Sequence, residues 1–208
     1  MSAIADTLDL TTKAEAVLTA ARRLFTERGY ASTSMDDIAR CAKVGKATVY
    51  EYFQSKEELF AAVVGHECHA HSRMLQELDD VGGDLRLRLT RFAIAFLDFV
   101  IRPEIVAVYR TIIAESMRAP HLGTTFYESG PIRIRSQLAR VLADAAARGE
   151  IEVDDPERAA VDLISLVRAD LHLRALFAVP TLPGAIEKQR LAQTAVERFL
   201  KAYAPAVA

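Results

Sequence analysis

The sequence predicts an all-α protein in two parts, a small basic N-terminal unit and a larger acidic helical body. Three observations lead there. Apolar residues recur at helical spacing along almost the whole chain. Gly and Pro number only 9 and 7 in 208 residues, too few for the many turns of a β-sandwich. Charge is unevenly spread. Residues 13–56 hold eight Lys/Arg against five Asp/Glu, while the whole chain carries −2, so the remainder is acidic. With 51% apolar and 26% charged residues, the chain can bury a core, which excludes a disordered reading. An evenly basic protein is excluded too, so any nucleic-acid surface must be a local patch.

The elements follow in order. Val17, Ala20, Ala21, Leu24 and Phe25 share one face of an amphipathic first helix. Thr11 or Thr12 can cap its start and Arg28-Gly29 suits its end. Ser34 with Asp37 three residues on is a variant capping box that opens a short helix with Met35, Ile38 and Ala42 inward. Gly45 breaks the pattern, and a very short helix, 46–51, follows around Val49. Ser55 starts a long helix running toward Leu78 and ended by Gly82-Gly83. Leu85, Leu89, Phe92, Phe96 and Val100 form the next stripe, stopped before Pro103. Ile105, Tyr109, Ile112 and Ser116 or Met117 form another, stopped at Pro120. A segment to Glu128 leads to Gly130-Pro131 and a helix ending near Arg148-Gly149. Asp154 or Asp155 caps one long helix from Pro156 to about Ala178, and a last helix spans about 184–203. The domain boundary is expected at 11–55 and 56–208.

Residues 34–51 thus read as helix, tight turn, short helix, the layout whose second helix enters a DNA major groove. Lys46 and Thr48 sit early on that helix, within reach of base edges or phosphates. Gly45 and Ala47 are small enough for close backbone approach, and Tyr50 and Tyr52 offer hydroxyls to phosphate oxygens. Lys56 begins the following helix. Thr33 and Ser34 place backbone N–H groups at a helix N-terminus, an anion site.

The runs Thr33-Ser-Met-Asp-Asp-Ile-Ala-Arg, Ala42-Lys-Val-Gly-Lys-Ala-Thr-Val-Tyr-Glu-Tyr-Phe and Ser55-Lys-Glu-Glu-Leu-Phe resemble the N-terminal domain of the TetR family of transcriptional regulators. The likeness covers about residues 13–60. It departs where Lys43 stands in place of a frequent Gly and Gly45 in place of a frequent Ser; Lys43 can supply a compensating charge. Further on, Glu115-Ser-Met-Arg-Ala-Pro-His-Leu, Phe126-Tyr-Glu-Ser-Gly-Pro and Asp155-Pro-Glu-Arg-Ala-Ala resemble the AefR-like C-terminal branch. The resemblance implies a dimerising, ligand-sensing helical body.

Phe92, Phe96, Tyr109, Ile113, Met117, Phe126 and Tyr127 are then either ordinary core or the lining of an apolar ligand pocket. Arg168 and His172, four apart on an apolar stretch, are either polar anchors of such a pocket or rim residues of a dimer seam. Val161, Ile164, Val167 and Leu171, with Ile186, Leu191, Val196, Phe199 and Leu200, offer two apolar helix faces for a four-helix homodimer interface. His66, Cys68 and His69 raise a metal-responsive alternative, but they lack H-E-x-x-H spacing and neither helical face collects enough ligands. Cys41 raises a redox alternative. A non-DNA-binding helical adaptor would leave the basic N-terminal unit unexplained.

No G-x-S-x-G, P-loop or G-x-G-x-x-G is present, so an enzyme is not expected, nor a cofactor or metal. Two cysteines point to a reducing cytosol. No apolar run reaches the roughly 18 residues of a membrane span. Asp6 and Asp9 precede any basic run, so no signal peptide is expected, and Met1 to Leu10 reads as a mobile tail. The expected partners are near-palindromic double-stranded operator DNA, a second copy of the chain and a small apolar effector, met in the cytoplasm.

Overall fold

The computed structural model describes residues 12–66, 84–117, 119–180 and 182–205. The tail to Leu10, the course of the long helix beyond residue 66, Gly82-Gly83, Cys68 and His69 lie outside the described residues. Every described element is a helix. In order they are α1 (Thr12–Arg28), α2 (Met35–Ala42), α3 (Lys46–Tyr52), α4 (56–66), α5 (Leu85–Val100), α6 (Pro103–Ser116), α7 (Pro120–Ser129), α8 (Pro131–Ala147), α9 (Pro156–Arg168), α10 (Leu171–Leu176) and α11 (Ala185–Ala202). Among them no helix is long and apolar enough to cross a membrane.

The helices fall into two compact units. The first takes the described residues up to His66 together with Arg110–Ser129; the second takes the rest, so the division falls inside α6. The expected boundary near residue 55 left the end of α6 and all of α7 out of the first unit. His121 of α7 faces Glu57 of α4, Nε2 to Oε1 at 3.9 Å.

In the first unit α1 turns Val17, Ala21, Leu24 and Phe25 inward and packs on α2 and α3. Phe25, Tyr30 and Phe60 meet with ring centroids 5.3–5.7 Å apart, a geometry that adds to the area they bury. Gly29, at φ +84, ends α1 in a left-handed conformation that costs glycine nothing.

The second unit is built on α5, whose Leu85, Leu89, Phe92, Phe96 and Val100 are all buried, as their spacing predicts. α5 packs on α9 and α11, and α8 packs on α9. Ala159 and Ala160 on α9 and Ala192 and Ala195 on α11 are buried, small side chains that let helix axes approach closely. Asp155 caps α9 by accepting from Arg158 N at 3.1 Å. Tyr203 ties the chain end back, its hydroxyl donating to Asp162 Oδ2 at 2.8 Å.

Two expectations need correction here. The single helix from Pro156 to Ala178 is two: α9 stops at Arg168, Ala169 takes φ 42 and ψ −129, and α10 starts at Leu171. No Gly or Pro marks the break, so an unbroken apolar pattern concealed it. The two faces expected to dimerise are only in part core: of their nine residues four are buried, Val161, Ile164, Leu191 and Leu200 are half-buried, and Ile186 is exposed. Val167, Leu171, Val196 and Phe199 are buried within the chain. Among the described residues from 156 onward, the large apolar side chains left in water are Leu166, Leu173, Phe177, Val179, Leu182 and, from the expected set, Ile186, with Phe177 74% and Ile186 87% exposed.

Candidate functional site

The first site is built by a local capping sequence. Ser34 is extended at φ −101, ψ 160, and its Oγ accepts from Asp37 N at 3.1 Å. The Asp37 carboxylate reaches back to Ser34 N at 3.1 Å. Each side chain satisfies an amide that the helix start leaves open. The Ser34 hydroxyl hydrogen bond holds the Asp37 carboxyl below the usual carboxylate range. α2 ends at Lys43, at φ 57 and ψ 38, whose N–H returns to Ala39 O and Arg40 O. This left-handed cap is where glycine is at ease, so the turn keeps its shape although lysine occupies it.

α3 then starts on Gly45, which has ordinary extended angles and provides no side-chain cap. A Cβ there would meet only Thr48 Oγ1, at 3.7 Å, so a serine would fit. Val49 is fully buried and fixes the rotation of α3. That rotation leaves Lys43, Gly45, Lys46, Ala47 and Tyr50 exposed and Thr48 half-buried. These are the residues expected to meet DNA, and the turn brings them onto one surface. Tyr52 is half-buried.

Three expected contacts are committed elsewhere. Thr33 is 1% exposed, and its hydroxyl donates to Gly29 O at 2.9 Å and Leu24 O at 3.3 Å. Its amide donates to Tyr30 O at 3.2 Å. The Ser34 amide and hydroxyl serve Asp37, so the anion site expected at these two residues is filled by the chain's own carboxylate. Lys56 turns inward, its Nζ donating to Tyr30 O at 3.0 Å and Thr33 O at 3.1 Å, 4.2 Å from the centre of the Tyr30 ring. It clamps the α1–α2 loop onto α4. Sequence reasoning found the lysine but not its partners, which lie 23 and 26 residues away.

One residue was missed. Asp36 on α2 lies 2.8 Å from Lys46 Nζ through Oδ1 and 3.1 Å through Oδ2. The hydrogen bond from Lys46 to this carboxylate raises the lysine pKa. An acidic first turn favours any helix start, so the local sequence gave no hint of a second role. Cys41, half-buried on α2, accepts from Arg23 Nη2 at 2.8 Å.

The residues expected to line a ligand pocket separate. In the first unit Phe126 is buried, whereas Ile113, Met117 and Tyr127 are exposed, Met117 by 88%. In the second unit Phe92 and Phe96 are buried and stack with centroids 5.5 Å apart. Tyr109 is half-buried, its ring edge-on to His172 at 4.5 Å. His172 is 3% exposed. Its Nε2 and Arg168 Nε are buried without a hydrogen-bond partner among the described residues. Burial, then the Arg168 charge, pull the His172 pKa down to about 4, so the ring is neutral near pH 7. Among the described residues no three His, Cys, Asp or Glu side chains converge as a metal site would require.

A capped helix, a left-handed turn at Lys43 and a short exposed helix opening on Lys46 define a helix-turn-helix regulator of transcription. Comparison with known proteins takes this further. Residues 17–63 match the family of bacterial regulatory proteins named after tetR, and residues 87–205 match the C-terminal domain of AefR-like transcriptional repressors. The chain belongs to the TetR family. A TetR-family transcriptional regulator from Mesorhizobium loti MAFF303099 superposes with a TM-score of 0.81 and 29% identity, covering 93% of this chain and 99% of that one. The flavonoid-responsive regulator FrrA has a TM-score of 0.75 and 38% identity over 94% and 98%. A shorter match, 52% identical over 44 residues, links 21% of this chain to 23% of the HTH-type transcriptional regulator YhgD of Bacillus subtilis.

Proposed function

We propose that this regulator is a homodimeric repressor that holds a near-palindromic operator and leaves it when a small molecule binds the second unit. The observation that carries the DNA half is the exposed first turn of α3, with Lys46 and Tyr50 outward and Val49 locked in the core. Two such helices on a two-fold axis would read half-sites about 34–36 Å apart, or a multiple of that. Such a regulator would work in the cytoplasm, where the DNA is.

Dimerisation would use the exposed apolar set between Leu166 and Ile186. Among the described residues, six of the eleven large apolar side chains left in water fall in this short stretch, a concentration that marks an interaction surface. Two copies would bury it by isologous pairing. FrrA is named for its response to flavonoids, which makes a flat phenolic molecule the first effector to try on this chain.

The test is fluorescence anisotropy with DNA from upstream of its own gene. The wild type should bind as a dimer, and Lys46→Ala should weaken binding and lower the salt slope by about one unit. Phe177→Asp should give a monomer by light scattering. Equal affinity for operator and scrambled DNA, or a Phe177→Asp dimer, would contradict the proposal.

A further inference from the structure

We infer that the effector carries an acidic oxygen, a carboxylate or a phenolate, which seats against Arg168 and His172 where α9 breaks into α10. The inference deepens the proposal that the second unit holds an effector and rests on it.

Arg168 closes α9 and has no acidic partner among the described residues. The acids nearest in sequence are engaged elsewhere. Asp170 faces Arg174 at 3.9 Å, and Asp162 is shared by Arg158 at 3.3 Å and the Tyr203 hydroxyl. The Nε of Arg168 is nonetheless buried, and so is Nε2 of His172, on a side chain 3% exposed. Native proteins pair most buried polar groups, so two unpaired nitrogens on neighbouring turns ask for an explanation, and a bound acceptor is one. The guanidinium of half-buried Arg168, through its Nε, and His172 Nε2 suit an oxygen acceptor, and a charged one gains most there.

The ring chemistry agrees. His172 is held neutral, so one nitrogen carries a proton it can donate and the other does not. A cation cannot be the occupant, because Arg168 would repel it. A purely apolar molecule would leave both nitrogens as they are. An anionic oxygen neutralises the guanidinium and accepts from both. Tyr109, edge-on to His172 at 4.5 Å, adds an aromatic wall beside the polar pair. Ala169, between the two residues, is held at φ 42 and ψ −129, a region L-residues avoid and one that recurs at ligand clamps.

The test uses the full chain and two matched pairs of probes at about pH 8, where carboxylates ionise fully and acidic phenols largely. One pair is naringenin and its fully O-methylated ether; the other is decanoate and decanol. Calorimetry should show the acid of one pair binding at least about tenfold tighter than its capped partner. Which pair responds distinguishes phenolate from carboxylate. Arg168→Met and His172→Phe should each reduce that preference to within about twofold, and Arg168→Lys should restore part of it. The ¹⁵N signals of the His172 imidazole should move with the acid and not with the capped compound. Acid and capped partner binding equally, or a preference that survives both variants, would overturn the inference and leave the effector site standing. No binding by any of the four compounds would overturn the effector reading and the inference together.

Discussion

Lys46 stands on the exposed face of α3 already paired, its ammonium 2.8 Å from Asp36 Oδ1 and 5.9 Å from the centre of the Tyr50 ring. Binding DNA through this face, as proposed, would exchange one anion for another. The Asp36 carboxylate would then stay behind, close to a polyanion.

Asp36→Asn should tighten DNA binding by up to about fivefold, the range open to an exposed ion pair. The gain should be larger on non-specific DNA, where phosphate attraction supplies nearly all the affinity. Lys46→Ala should then cost more in the Asp36→Asn background than alone, because no internal pair is lost with it. Weaker operator binding by Asp36→Asn would show instead that the carboxylate aims the lysine.

Lys56 gives the opposite signature. Its bonds to Tyr30 O and Thr33 O are charge-assisted and half-sheltered. Lys56→Met should cost about 1–2 kcal/mol of stability, measured by urea unfolding. The salt slope of DNA binding should stay within the wild-type value, unlike that of Lys46→Ala. A slope lowered by about one unit would return Lys56 to the phosphate-binding set.

His172 makes stability depend on pH. Its pKa falls from 6.5 in the unfolded chain to about 4 in the fold. Between those values the unfolded state binds more protons, so its contribution is complete above about 6.5 and is lost as pH falls toward 4. The loss should approach about 2 kcal/mol, allowing for partial screening. His172→Gln should unfold with a shallower pH dependence across this window. Parallel curves for the two proteins would show that the ring is not buried neutral.

Local patterns in the sequence were the informative ones. The Ser34–Asp37 box, the break at Gly45 and the α5 stripe are encoded three or four residues apart, and each stands where its spacing placed it. What escaped depends on distance along the chain. The carbonyl partners of Lys56 and the Asp36–Lys46 pair are tertiary contacts with no local signature. The stripe on α6 was real, but a helix offers adjacent faces: Ile105 and Ile112 are buried while Ile113 and Met117 face outward. On α9 and α11 both sides of the helix are apolar, so periodicity alone could not tell the face that packs inside the chain from the one left open.

The left-handed backbone at Lys43 has a consequence for how this protein can change. A glycine there would relax the turn by roughly 1 kcal/mol, and it would also erase a cation from the surface beside α3. If that surface meets DNA as proposed, firmness of the fold and attraction to nucleic acid are set at one codon and move in opposite directions. Lineages that adapt to heat by easing this turn would drift toward a looser grip on DNA, unless a positive charge arose elsewhere on the same surface.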